Sequence, residues 1–308
     1  MVDLSVVILS WNVRDLLRQC LQSVTITRLL TSEIIVVDNA SSDGSPDMLR
    51  AEFPEVRLIV SATNRGYPGG NNDGMTAASG RYVLILNPDT LVVGDALSTM
   101  LTYADAHSDV GVIGPQLLNP DGSVQSSRRR FPTLLTGLFE STWLQSLAPR
   151  GVLRHYYVQD RPDDATQAVD WVTGACLLVR REVIQQVGLL DEGFFMYSEE
   201  LDWCRRIKQA GWKIVYLPEA KIIHYMGRSS DQVVAQRHIY FQTSKVRYFR
   251  KHHGALTAGV LRASLLLMYA WQLALEAAKG VFGLKREMRC ERVRAYWQVI
   301  RSGFRSQA

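Results

Sequence analysis

Hydrophobic and polar positions along the first 115 residues alternate between two periods. Leu4–Ser10 is a near-continuous apolar run, the mark of a strand covered on both faces, as in parallel sheets. In residues 14–24 the apolar positions are Leu16, Leu17, Cys20, Leu21 and Val24, which is helical spacing. Ile34–Val37 is the next strand and ends at Asp38. Ser45-Pro46-Asp47 then reads as an N-cap, a first-turn proline and a dipole-favoured acid, opening a helix that Pro54 ends. Val56–Val60 and Tyr82–Leu86 are further strands, and a helix near Asp95–His107 leads to the strand Val110–Ile113. The repeated β-α rhythm predicts an α/β fold: a doubly wound, mostly parallel sheet with helices on both faces.

The pattern weakens between Pro115 and about Ala168, where Pro, Gly and polar clusters surround Arg128-Arg129-Arg130 and an apolar patch near Leu134–Leu147. This stretch reads as an irregular, movable segment. Val169–Val179 resumes a strand pattern, and Arg181–Val187 is a short helix. Ser198–Ala210 is a firmer one, with Ser198 placed to cap it and Gly211 to end it. The strands Ile214–Leu217 and Lys221–His224 close the domain. Beyond them, Ala263–Leu275 is mostly apolar, but Arg262, Gln272, Glu276 and Lys279 interrupt it before the roughly 20 residues of a spanning helix accumulate. Lys285, Arg286, Arg289, Arg292, Arg294, Arg301 and Arg305 follow, interleaved with Phe282, Tyr296, Trp297 and Phe304. That mixture predicts a helical, amphipathic C-terminal extension lying at a membrane surface, with a hairpin packed on protein as its plainer counterpart.

Charge sharpens this division. The chain of 308 residues has a net charge of +5, yet residues 245–308 hold 13 Lys/Arg against 3 Asp/Glu, leaving the remainder at −5. A basic tail on an acidic body points to an anionic surface as partner, either membrane or nucleic acid; its mixture with aromatics beside an apolar helix favours membrane, and no nucleic acid is expected. Four scattered cysteines, Cys20, Cys176, Cys204 and Cys290, fit neither a disulfide framework nor a zinc site and suit a reducing compartment. With no basic n-region ahead of the short apolar run Val6–Leu9, the active site is expected to be cytoplasmic.

Acidic residues sit where an open α/β sheet keeps its ligand crevice, just past strand ends. Asp38 can accept a hydrogen bond from a pyrimidine N3–H, and Asp43 could fix base or ribose, although Asn39, Ser41, Asp43 and Gly44 are also ordinary turn formers. The run Asn64–Gly74 combines glycines that allow close backbone approach with amides suited to sugar edges. It lacks the G-x-G-x-x-G spacing of a dinucleotide site, and its plain alternative is a surface loop with a helix starting at Asn72. Asn87-Pro88-Asp89 follows a strand and offers oxygen ligands for a hard divalent cation, with Asp89 as ligand and Asn87 beside it. Glu199, Glu200 and Asp202 crowd the start of one helix after Phe194-Phe195-Met196-Tyr197. One of them is a candidate general base, while Asp202 could instead pair with Arg206. His224 ends a strand in the same half and is either a ligand or a structural histidine.

Taken in order, Ser5–Asn12, Val37–Gly44, Asn64–Gly74, Leu86–Thr90, Asp170–Ala175, Phe195–Arg205 and His224 make the chain resemble the family-2 inverting glycosyltransferases with the GT-A fold, in particular their bacterial rhamnosyltransferase-like members. The resemblance spans about residues 3–230. It implies a GT-A domain over 1–232, with a nucleotide-sugar-binding half (1–115) and an acceptor-binding half (116–232), and leaves 233–308 as the membrane-associating region. Donor contacts are expected from Ser10, Asn12, Asp38, Asn39, Asp43, Asn64, Arg65, Gly66, Asn72 and Asn87, and acceptor contacts from Trp171, Gly174 and Ala175. Asp89 and His224 would hold Mg²⁺ or Mn²⁺, and Glu200 would be the base, with Glu199 and Asp202 as the other candidates. Asn87 stands where the family's metal motif often begins with aspartate, and Glu199-Glu200 replaces its usual Glu-Asp. The implied reaction is metal-assisted single displacement with inversion, carrying L-rhamnose from dTDP-L-rhamnose to a lipid-linked glycan at the inner face of a bacterial plasma membrane. A UDP-sugar donor, or a nucleotide-sugar-binding protein without transferase activity, are the alternatives.

Overall fold

The computed structural model describes residues 2–26, 31–225, 234–281 and 286–305. Phe282, Lys285 and the expected boundary at residue 232 lie outside these. In chain order the strands are β1 (Leu4–Ser10), β2 (Ser32–Asp38), β3 (Arg57–Val60), β4 (Tyr82–Leu86), β5 (Thr90–Val93), β6 (Val110–Leu118), β7 (Val124–Gln125), β8 (Arg128–Arg129), β9 (Gln167–Val169), β10 (Trp171–Val172), β11 (Cys176–Arg180) and β12 (Lys213–His224). The helices are α1 (Arg14–Ile26), α2 (Ser45–Glu52), α3 (Gly66–Ala77), α4 (Ala96–Ala106), α5 (Leu134–Phe139), α6 (Arg150–Tyr156), α7 (Arg181–Val187), α8 (Glu199–Gln209), α9 (Val234–Val281) and α10 (Arg286–Ser302).

Two units partition the chain. The first comprises Met1–Phe131, Arg154–Glu192 and Glu199–Ser229, and the second Pro132–Leu153, Gly193–Ser198 and Ser230–Ala308. The first unit is built on a sheet of order β3-β2-β1-β4-β11-β6-β12-β5, with β7 on β6 and β9 on β12. Strands β3, β2, β1 and β4 run parallel, as does β12 beside β6, whereas β11 and β5 are inserted antiparallel. The mostly parallel sheet expected from the periodicity is therefore present. Its two faces follow from the alternation within β1: Leu4, Val6 and Ile8 join the core formed with α1, α2 and α4, while Val7 and Leu9 face α3.

Three local expectations change. The Gly/Asn run does not stay a loop until Asn72; helix α3 already begins at Gly66. Glycine costs roughly 1 kcal/mol in a helix interior, but here the sheet lies too close for any side chain. A Cβ on Gly70 would stand 2.2 Å from Leu9 Cδ1, and one on Gly74 would stand 2.3 Å from Val7 Cγ1. Neither expected serine cap forms. Gly44, at φ 82, occupies the cap position of α2, and Ser198 has φ 64, outside the extended region an N-cap needs. The two final strands are one, β12, whose pairing with β6 shifts register between Leu217 and Lys221, where Pro218 falls.

The second unit is helical. A left-handed Gly254 (φ 86) breaks α9 into segments 234–253 and 255–281. The first segment is tied to α5 by Lys245, whose ammonium lies 3.0 Å from a Glu140 carboxylate oxygen, and to the strip 193–198 by Ser244 donating to Met196 O. Helix α10 returns antiparallel to the second segment: Arg289 grips the buried Glu276 at 2.8 Å, and Arg262 donates to Gly303 O at 2.7 Å. Within Gln236–Gly280 an 18-residue window reaches mean hydropathy 1.4 with only 17% of it buried, so by length and composition one helix could cross a membrane despite its interrupting charges.

Candidate active site

The functional side chains of the first unit gather at the C-terminal edge of the parallel strands, where the backbone leaves the sheet. Register places Ser10 beside Asp38 and Ile8 beside Leu86, so the ends of β1, β2 and β4 open onto one edge. Asp38 is only 1% exposed. Its Oδ2 accepts from the Ser41 N–H at 3.0 Å, whereas among the described residues Oδ1 has no hydrogen-bond partner, and neither has the buried Ser10 Oγ next to it. Unpaired buried acceptors cost on the order of 1–3 kcal/mol each unless a ligand or water satisfies them. Ala40, at φ 64, takes the chain out of this corner in a left-handed conformation that alanine seldom adopts.

Several expected donor residues are spent on holding the crevice together. Asn39 donates to Asn64 Oδ1 (2.9 Å) and Gly66 O (3.2 Å) and accepts from the Arg65 N–H, tying β2 to the start of α3. Asn64 Oδ1 also receives the Gly66 N–H. Asn12, at φ 53, accepts from the Ser42 N–H. Asp43 accepts from the N–H groups of Arg14 and Ser45 and from Ser45 Oγ, so it serves the first residues of both α1 and α2. Burial opposes its charge, but these hydrogen bonds win and hold its carboxyl below the ordinary value. Arg65 pairs with Asp73 and Glu192, and Asn72 exchanges hydrogen bonds with the Leu190 backbone.

A second cluster forms around Asn87-Pro88-Asp89. Because β11 runs antiparallel to β4, the Asn87 N–H reaches Ala175 O at 2.9 Å, which brings Gly174 and Ala175 to this motif. On the other side β5 pairs with β12 and sets His224 opposite Thr90. His224 Nε2 then lies 3.4 Å from Asp89 Oδ1. The other ring nitrogen, Nδ1, is 2.7 Å from Gln125 Oε1. Gln125 Nε2 is committed to Asn119 Oδ1 and His224 O, so its oxygen must face the imidazole. An amide oxygen only accepts; hence Nδ1 donates, and in the neutral ring Nε2 turns its lone pair toward Asp89. The Asp89 carboxylate in the β4–β5 turn and the imidazole at the end of β12 thus face one another, a pair that could offer two ligands to a cation. Among the described residues no group of three His, Cys, Asp or Glu is placed to hold a metal ion.

Helix α8 brings the carboxylates. The chain enters it through Tyr197 (φ 70) and Ser198 (φ 64), two consecutive left-handed non-glycine residues, the kind of stored backbone strain that clusters at functional sites. The three acids then diverge. Asp202 is fully buried and bound by Arg206 Nε at 2.9 Å, whose guanidinium also donates to Val187 O and Leu189 O. Glu199 is buried, and burial, reinforced by the neighbouring Glu200, raises its pKa well above the ordinary 4.5. Glu200 keeps part of its surface; burial raises its pKa too, but its own N–H, those of Gly174 and Leu201, and the charge of Arg129 pull the other way. Oε2 of each glutamate lacks a partner.

Tyr67 joins these groups and was not singled out from sequence, although it lies inside the Gly/Asn run. Its hydroxyl donates to Gly174 O at 2.7 Å. A Cβ at Gly174 would lie 3.1 Å from that hydroxyl and 3.7 Å from Glu200 Cβ. Burial drives the phenol well above its ordinary pKa, with the charges of Glu199 and Glu200 adding to it. Gln125 was missed as well, and no local signal marks it: its partner stands 99 residues away. Trp171, expected on the acceptor side, is mostly buried and donates to Arg130 O at 3.1 Å. All four cysteines are free thiols.

Comparison with known proteins bears on the family and the fold. The family model Glycosyl transferase family 2 matches residues 5–188. An N-acetylglucosaminyl-diphospho-decaprenol L-rhamnosyltransferase of Mycobacterium tuberculosis (strain ATCC 25618 / H37Rv) is 30% identical over 273 residues, covering 85% of this chain and 89% of the relative. Rhamnosyltransferase WbbL of Escherichia coli (strain K12) is 27% identical over 175 residues, 55% of this chain and 62% of that one. Among solved structures, the mannosyltransferase PcManGT from Pyrobaculum calidifontis, in complex with GDP-Man and Mn²⁺, shares the fold with a TM-score of 0.56 at 15% identity, over 97% of this chain and 85% of that one. With the sheet order, the acids at its strand ends and these similarities together, the chain belongs to the family 2 glycosyltransferases, inverting enzymes of GT-A fold.

Proposed function

We propose that this enzyme transfers L-rhamnose from dTDP-L-rhamnose to a hydroxyl of a lipid-linked glycan, with Glu200 as general base and Asp89 and His224 as ligands of Mg²⁺ or Mn²⁺. The observation that carries the site assignment is the convergence of Asp89, His224, Gly174 and Glu200 on one sheet edge. Two protein ligands suit a hard cation that takes its remaining oxygens from phosphate and water. When bound, such a cation neutralises charge developing on the departing diphosphate.

The chain's own residues supply the rest. Asp38 Oδ1 and Ser10 Oγ are the unsatisfied acceptors available to a nucleobase at the far end of the crevice. Glu200 is the one of the three that keeps part of its surface; burial raises its pKa, with the surrounding N–H groups and Arg129 opposing that rise, and it takes the proton of the incoming hydroxyl. Glu199 stays protonated beside it, since two adjacent buried carboxyls resist double ionisation. Asp202 is a structural partner of Arg206. Tyr67 holds the Gly174 peptide in place for Glu200. The donor and acceptor rest on the rhamnosyltransferase relatives, of which the mycobacterial one carries a decaprenol acceptor in its name and dTDP-rhamnosyl transferase RfbF of Shigella flexneri a dTDP-rhamnosyl donor in its own. A membrane-surface location at the cytoplasmic side, through the basic residues of α9 and α10, accords with such an acceptor.

Nucleotide diphosphate release is the test, measured with dTDP-L-rhamnose and UDP-sugars, a polyprenyl-diphosphate-linked acceptor, and added Mn²⁺ or Mg²⁺. Acceptor-dependent release from dTDP-L-rhamnose, lost in Asp89→Ala and reduced about 10²- to 10⁴-fold in Glu200→Gln, is expected. Release only from a UDP-sugar would replace the donor. Donor binding without any acceptor-dependent release would leave a binding protein.

A further inference from the structure

The second unit contains a pocket of about 270 Å³ formed entirely by its own residues. Four arginines line it: Arg247 and Arg250 from segment 234–253 of α9, Arg262 from segment 255–281, and Arg305 beyond α10. Arg262 Nε is fixed by Gly303 O, and the Arg247 guanidinium lies 5.1 Å from the centre of the Phe194 ring. Among the described residues no carboxylate pairs with Arg250, Arg262 or Arg305, and none lines the cavity. Two basic groups of this unit do have such partners, Lys245 with Glu140 and Arg289 with Glu276. Arg250, Arg262 and Arg305, close together without a paired carboxylate, repel one another, and an anion that they can share relieves this.

Two further features face the same space. The Gly254 break puts the first turn of segment 255–281 into the pocket wall, adding the partial positive charge of a helix N-terminus. Thr243, on the opposite segment, presents a buried hydroxyl oxygen with no hydrogen-bond partner. The volume is below the roughly 300–1,000 Å³ of sites for whole drug-sized ligands, which fits a compact head such as phosphate or diphosphate. The helix that leaves the pocket then exposes Leu256, Val260, Leu267 and Trp271. Their spacing of 4, 7 and 4 residues keeps them on one apolar face, beginning next to the anion-binding groups.

We propose that this pocket binds the phosphate or diphosphate head of an amphiphile whose hydrocarbon chain lies along the Leu256–Trp271 face. Binding there needs neither sugar donor nor divalent cation.

The test uses the full chain without divalent metal. Farnesyl diphosphate and inorganic pyrophosphate are titrated by calorimetry, and sedimentation with phosphatidylglycerol vesicles is measured against phosphatidylcholine vesicles. The variant is Arg250→Gln/Arg305→Gln, two exposed positions whose change leaves the fold intact by circular dichroism. The wild type is expected to bind farnesyl diphosphate or the anionic vesicles, and the variant to bind about tenfold or more weakly, since each lost charged hydrogen bond carries on the order of 1.5–3 kcal/mol. Loss confined to farnesyl diphosphate identifies a polyprenyl head, and loss confined to vesicles a phospholipid head; both uphold the proposal. Pyrophosphate bound as tightly as farnesyl diphosphate, with no vesicle binding, overturns the amphiphile. Equal binding by wild type and variant overturns the pocket, and so does loss of binding in Asp89→Asn, which would place the ligand in the active site.

Discussion

Glu199→Gln isolates the buried carboxyl pair. Burial and the adjacent Glu200 raise the Glu199 pKa well above 4.5, so the folded state holds a proton that the unfolded chain releases as pH climbs past that value. Folding therefore takes up a proton, and stability falls with rising pH through the window between 4.5 and the folded pKa. Glutamine copies the protonated side chain in shape and hydrogen-bonding capacity without needing that proton. Its advantage is nil at or below pH 4.5 and grows by at most about 1.4 kcal/mol per pH unit, so it can reach about 2 kcal/mol at pH 6. Glu199 is only 4% exposed, so solvent screening takes little away. In a domain of 150–250 residues this corresponds to roughly 4–8 °C in Tm. Thermal unfolding of both proteins, followed by circular dichroism at pH 4.5, 5.2 and 6, reads the trend directly. A Tm gain that is the same at all three values, or a loss that deepens as pH rises, would show Glu199 to be ionised in the fold and refute the argument. Activity gives an independent check: Glu199→Gln keeps transfer within about tenfold of wild type, in contrast to the loss expected for a catalytic base.

Other substitutions probe separate parts of the same scaffold. Gln125→Leu frees the His224 ring and is expected to raise the Mn²⁺ concentration for half-maximal activity about 10- to 100-fold, as loss of a ligand's supporting partner generally does; an unchanged metal requirement would remove Gln125 from that role. Arg206→Met removes the guanidinium that binds the buried Asp202 and should lower stability by about 3–5 kcal/mol, read by urea unfolding, whereas a cost below 1 kcal/mol would mean that the pair contributes little to the fold. Gly74→Ala forces a methyl against Val7 and should cost about 1–3 kcal/mol, with Val7→Ala in the same chain restoring part of it; failure of that rescue would locate the strain elsewhere.

Much of the nucleotide-side architecture is legible from local sequence. An apolar run of strand length followed by Asp38, or by Asn87-Pro88-Asp89, signals a strand that ends in a polar turn, because side-chain periodicity and turn chemistry act over a few residues. The start of α3 is not legible in this way. Four glycines argue against a helix in isolation, and only the approach of Leu9 and Val7 supplies the packing that overrides propensity. Register between strands distant in sequence is equally hidden: the insertion of β11 antiparallel to β4 joins Ala175 to Asn87, and the pairing of β12 with β5 sets His224 beside Asp89.

The sequence by itself determined the class of this protein: the order of strands and helices, the acids at strand ends and at the start of α8, and a basic C-terminal segment distinct from an acidic body. Tertiary structure decided how differently those acids are placed. Glu199, Glu200 and Asp202 fall within four residues and share one dipole-favoured helix start, so no local property separates them. Burial of Asp202 against Arg206, burial of Glu199, and the partial exposure of Glu200 under the N–H groups of Gly174 and Leu201 do. The same holds for the four arginines that line the pocket of the second unit, whose first and last members are 58 residues apart and which come together only when Gly254 folds α9 back and α10 returns Arg305 to the start of its second segment. Charge and desolvation depend on what surrounds a group in space, and that is set by packing between segments that the sequence keeps far apart.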